Sequence, residues 1–183
     1  SVSREPRPVR GSFFFTHLKI LIPIPAPSCF CSIIRTIQNT GTDMKVCGVE
    51  IKSNEAIICL LSRADGLFDI PDCRAQRVVI RNGDSAEEMR QFQFAFAKLM
   101  ADYQVDKVII KQRPAKGKFA GSALGFKLEA AIQLIPELNV ELIASNRIQE
   151  LLKQNPLMID FKGTGLKQFQ QTAFQTAYAY LNQ

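Results

Sequence analysis

The chain has 183 residues, 46% of them hydrophobic and 22% charged, with a formal net charge of +6. That length suits one domain with a sizeable core, and no charge-free apolar run is long enough to span a bilayer as a helix. Five cysteines are too few for a disulfide scaffold, and the one histidine, His17, denies the rest of the chain any Ser-His, Cys-His or His-metal chemistry.

Residues 1–43 differ from the remainder of the chain. They hold prolines 6, 8, 23, 25 and 27, five of the nine in the chain, and five basic groups against two acidic ones. Neither a helical nor a strand period persists there. Arg4, Arg7 and Arg10 ahead of an apolar stretch have the outline of a secretory leader, but its apolar core would contain Lys19 and three prolines. The reading is a disordered or non-native extension over 1–43 and a domain over 44–183, in a protein expected in the cytoplasm.

From Met44 the pattern is regular. Lys45–Lys52 and Glu55–Ser62 read as two strands joined at Ser53-Asn54, a hairpin. Ala64–Gly66 and Pro71-Asp72 read as loop, and Ala75–Arg81 as a third strand. Asp84 or Ser85 caps a helix reaching about Tyr103, with Glu87 and Glu88 in its first turn and Met89, Phe92, Phe96, Leu99 and Met100 on one face. Lys107–Lys111 is an apolar-centred strand, as a buried central strand should be. A helix over Ser122–Leu134, a strand over Val140–Ala144 and a short helix opened by Asn146 and Gln149 as a capping box come next. The last helix is expected over Gly165–Leu181, with Phe169, Thr172, Ala173, Thr176, Ala177 and Tyr180 as its packed stripe.

This order, three strands feeding alternating helices and strands, is the layout of α/β domains of the ribonuclease-H-like class. Lys45–Leu60 (KVCGVEIKSNEAIICL) and Asp106–Ala130 (DKVIIKQRPAKGKFAGSALGFKLEA) resemble the opening strands and the fourth strand, loop and helix of RuvC-type Holliday-junction resolvases. The opening MKVCGVEIK and the segment Phe161–Gln170 (FKGTGLKQFQ) also resemble an uncharacterised proteobacterial domain-of-unknown-function family. The resemblance implies a three-layer fold with a five-stranded mixed sheet flanked by helices. It also implies where metal-binding acids would stand: on the first strand, at the end of the fourth, and on the last helix.

Those positions are mostly not acidic. The first strand supplies Glu50, the fourth ends in Lys111, and residues 165–183 contain no Asp or Glu, with Gln171, Thr172 and Gln175 in the candidate places. Two-ion phosphodiester cleavage draws on several carboxylates around the metals. A lysine beside Glu50 repels a divalent cation and pairs with the carboxylate instead. The expectation is a Glu50–Lys111 salt bridge in place of a metal site, and no cofactor.

No acid lies between Asp106 and Glu129, a stretch that includes Lys111, Arg113, Lys116, Lys118 and Lys127. Arg113, Lys116 and Lys118 are read as phosphate contacts, Phe119 as a surface on which a base could stack, and Lys162 and Lys167 as further cations converging on Glu50. The glycine-bearing segments 121–125 and 163–165 form neither a P-loop nor a dinucleotide fingerprint. Cys47 and Cys59 lie in apolar strands and read as inert thiols. The function expected is a catalytically degenerate domain binding DNA, RNA or a phosphate-bearing ligand. Two competing readings are an active Mg²⁺-dependent nuclease recruiting Asp160 or Glu129 near Glu50, and a protein-binding scaffold or homodimer. None involves a membrane.

Overall fold

The computed structural model describes residues 18–20, 44–117 and 120–183. His17, Lys118 and Phe119 lie outside the described residues, as does most of the opening segment. Among the described residues no helix is long and apolar enough to cross a membrane.

The strands are β1 (Leu18–Ile20), β2 (Met44–Lys52), β3 (Glu55–Ala64), β4 (Leu67–Ile70), β5 (Arg77–Val79), β6 (Lys107–Lys111) and β7 (Val140–Ile143). The helices are α1 (Ala86–Asp102), α2 (Ala123–Gln133), α3 (Ser145–Gln154) and α4 (Gln171–Leu181). They build one mixed sheet of seven strands in the order β1-β4-β3-β2-β6-β7, with β5 also paired to β3. β2 is antiparallel to β3 and parallel to β6, and β6 is parallel to β7. The ribonuclease-H-like α/β architecture expected from the sequence is therefore present.

The sequence pattern predicts five strands, and one of the two additions has a local cause. Asp65 and Gly66 both have positive φ, 49° and 78°, and Ala64 pairs with Leu67 across them. An Asp-Gly pair in this conformation is a two-residue primed hairpin turn, so the chain reverses into β4 where the sequence suggests a longer loop. The other addition, β1, pairs its Leu18 with Ile70 on the outer edge of β4, within a segment where no period marks an element.

Three helix boundaries also differ or sharpen. Ser85 caps α1, its Oγ accepting from the Glu88 amide at 3.3 Å. The residue before α3 is Ala144, and no side chain caps it; the Asn146 side chain instead accepts from Arg147 N–H at 2.9 Å. α4 begins at Gln171, not Gly165, because Gly165 ends a 3₁₀ turn (Phe161–Thr164) at φ 73°, and a second turn (Gln168–Gln170) intervenes.

Alternation along β2 sorts its side chains between the two helical layers. Cys47, Val49 and Ile51 pack with Phe92, Phe96 and Met100 of α1 and Leu128 and Ile132 of α2. Val46 packs with Ala173, Phe174, Ala177 and Tyr178 of α4 on the other face. Gly48 shares that second face and permits a very close approach: a Cβ there would lie 2.0 Å from the Ala173 carbonyl oxygen and 2.9 Å from Ala177 N. α4 thus rests with its backbone against the central strand.

Candidate functional site

The parallel strands β2, β6 and β7 end at the same side of the sheet, where α/β folds gather their ligands. Val49 pairs with Ile110, so the next residues, Glu50 and Lys111, stand side by side. Both follow the alternation onto the α4 face: Val46 and Gly48 precede Glu50 there, and Lys107 and Ile109 precede Lys111 against Tyr180 and Ala179. Lys111 Nζ lies 3.8 Å from Glu50 Oε1, with side-chain exposures of 32% and 22%. That is an ion pair too long for a hydrogen bond, so both groups keep donor and acceptor capacity for a third party.

The pair borders an open cleft of about 300 Å³, together with Ile51, Arg113, Pro114 and Ser145. Lys111 pairs with Ile143 on β7, which brings Ser145, the first residue of α3, to the rim. Arg113 reaches from this rim towards α2 and donates from Nη1 to the Ile51 carbonyl at 3.0 Å.

The other cations selected from the sequence do not gather equally. Lys116 is exposed on the loop after β6. Lys162 and Lys167 are exposed on the turns before α4, whose Thr164, Gly165, Leu166 and Gln170 line a different cleft with Leu60, Pro71, Cys73 and Gln76. Neither lysine borders the Glu50 cleft. Lys107 belongs to the opposite end of β6, with Glu141 Oε2 and the Tyr180 hydroxyl each 2.6 Å away. Those two hydrogen bonds hold its ammonium above the usual lysine range. Lys127 pairs with Asp84 at 2.6 Å and holds that carboxyl below its ordinary value.

A divalent-metal pair does not fit the donor set. Among the described residues no three His, Cys, Asp or Glu side chains cluster as ligands, and the carboxylate at the strand ends has an ammonium beside it. Of the two alternative acids, Glu129 belongs to the helix covering the Cys47–Val49–Ile51 face, across the sheet from Glu50. Asp160 is exposed ahead of the first 3₁₀ turn. Cys47 and Cys59 are buried, and burial pushes both thiols far above their ordinary range.

Three side chains of consequence are not evident from the sequence pattern. Gln170 is 3% exposed; its Nε2 donates to the Ile58 carbonyl at 3.0 Å and its Oε1 accepts from Lys167 N–H. It ties the start of α4 to the stretch of β3 between its pairings with β5 and β4. The Gln in the FKGTGLKQFQ segment is its only sequence signal. Phe174 and Tyr178 stack on each other, and Tyr178 meets Phe68 at 5.1 Å between centroids. They add aromatic bulk to a stripe that the sequence presents mainly as small residues.

The fold is ribonuclease-H-like, and it is similar to that of RuvC. The structure of RuvC from Thermus thermophilus superposes with a TM-score of 0.58 at 10% identity, over 75% of this chain and 93% of that one. T. thermophilus RuvC in complex with Holliday junction substrate gives 0.54 at 12% identity, over 74% and 90%. No curated protein matches the sequence. The chain belongs to the family described as Protein of unknown function (DUF3010), whose profile matches residues 44–180.

Proposed function

We propose that this domain has exchanged metal-dependent cleavage for anion binding and holds a nucleic-acid phosphate at the strand-end cleft. The observation that carries the reading is Lys111 Nζ standing 3.8 Å from Glu50 Oε1, at the strand end where RuvC-type resolvases present an acid. A cation there weakens the field that would hold Mg²⁺ and favours a phosphate instead. Lys111 and Arg113 at the rim and Lys116 on the adjoining loop supply positive charge without an acid in the intervening sequence. The solved structure of RuvC with a junction makes nucleic acid the first ligand to try.

The test is fluorescence anisotropy with single-stranded and branched DNA and RNA from 50 mM salt upward, in parallel with Mg²⁺ and Mn²⁺ cleavage assays. Binding that weakens with salt, without cleavage, is expected. Lys111→Ala should weaken binding about three- to tenfold, and Lys111→Glu should weaken it further without creating cleavage, since α4 still has no acid. Metal-dependent cleavage by the unaltered protein, or no binding at 50 mM salt, would overturn the reading.

A further inference from the structure

Arg113, which lines the cleft, also meets Gly121 and Gly125 at the start of α2, the helix that carries the buried Glu129. A Cβ on Gly121 would lie 2.7 Å from Arg113 Nε, and one on Gly125 would lie 2.1 Å from Nη1 and 2.5 Å from Cζ. The Arg113 guanidinium therefore packs against the first turn of α2, in space that any side chain at 125 would occupy. One helical turn further on, Glu129 is 9% exposed and its Oε2 is buried with no hydrogen-bond partner. Arg113 is the charged group that acts on this carboxyl, opposing the effect of its burial. A buried carboxylate oxygen without a partner calls for an explanation other than packing.

We propose that Gly121 and Gly125 form a seat, with Glu129 as a charge one turn beyond it, that fixes Arg113 as a planar donor for a single phosphoryl group at the rim of the Glu50–Lys111 cleft. This rests on the reading of that cleft as a phosphate site and specifies how the phosphate is held. The seat removes rotamers from a long side chain, and the Ile51 carbonyl takes one of its five N–H donors, which restricts how the guanidinium plane can turn. A planar fork meets two phosphate oxygens at once, whereas Lys111 beside it acts as a point charge. Glu129 is a positioning residue: it acts through Arg113 and meets no ligand.

The test uses the full chain, a labelled single-stranded oligonucleotide and inorganic phosphate as competitor, with thermal melting to verify folding. Arg113→Lys keeps the charge and loses the fork; about tenfold weaker binding with an unchanged salt slope is expected. Glu129→Gln removes a negative charge near a phosphate site, so simple electrostatics requires tighter binding. The seat requires the opposite, binding weakened about three- to tenfold as Arg113 loses its counter-charge. Gly125→Ala should displace the guanidinium and weaken binding similarly; if it fails to fold, the other two variants still decide. Glu129→Gln binding as tightly as the unaltered protein or tighter, or Arg113→Lys binding equally well, overturns the seat and leaves the cleft reading standing. An unaltered protein that binds neither probe overturns the cleft reading, and the seat falls with it.

Discussion

At the scale of single residues, charge and burial compete. Glu129 shows how: desolvation raises its carboxyl pKa, and Arg113 recovers part of that. A folded-state value above the unfolded one means that stability is greatest below the unfolded pKa, near 4.3, and declines as pH rises through the folded one. Glu129→Gln should therefore melt a few degrees above the parent at pH 8 and close to it near pH 4, in line with the roughly 1–3 kcal/mol cost of an unsatisfied buried polar group. Equal melting temperatures at both pH values would show that the carboxyl is solvated. The adjacency of Glu50 and Lys111 is legible from the sequence because both are fixed by strand register, which a one-residue slip would destroy. The place of Arg113 is not legible. It depends on two glycines eight and twelve positions along, whose use is to be empty.

At the scale of elements, the approach of α4 to β2 is the most sensitive contact. Gly48 has no room for a methyl group, because the nearest atom is a backbone carbonyl and cannot swing aside. Gly48→Ala should destabilise the domain by about 1–3 kcal/mol, read as a lower denaturant midpoint with an unchanged slope. An unaffected midpoint would mean that α4 is loosely docked. Helix and strand periodicity exposes most elements: Lys107–Lys111 has the bounds expected, and α1 falls within its expected span. Periodicity cannot find β4, four residues long, since its signal lies in the Asp65-Gly66 turn. Nor can it place the start of α4, where the φ of Gly165 overrides an apparently continuous helical stripe.

At the scale of the whole molecule, the regular run of strands and helices opens with β2 at Met44. The family profile begins at the same point. A protein restricted to 44–183 should accordingly fold with a melting temperature within a few degrees of the full chain. Its newly uncovered β4 edge presents unpaired backbone groups, and such edges invite pairing between copies. Calorimetry and light scattering on the two forms would measure both effects; a shortened chain that does not fold would assign β1 a structural role. The architecture is legible because element order and right-handed crossovers leave few alternatives. The destinations of Lys162 and Lys167 are not, because the turns carrying them follow tertiary packing around Gln170 and not any local period.

The Ala173 carbonyl resting on Gly48 leaves the final helix little freedom to roll about its axis. On the anion-binding reading proposed above, an engineer wishing to install phosphodiesterase activity on this scaffold inherits a locked orientation. Acids introduced along that helix would meet the ammonium of Lys111 before any magnesium did, so a mutant library confined to α4 should yield no hydrolytic clones until residue 111 is varied with it.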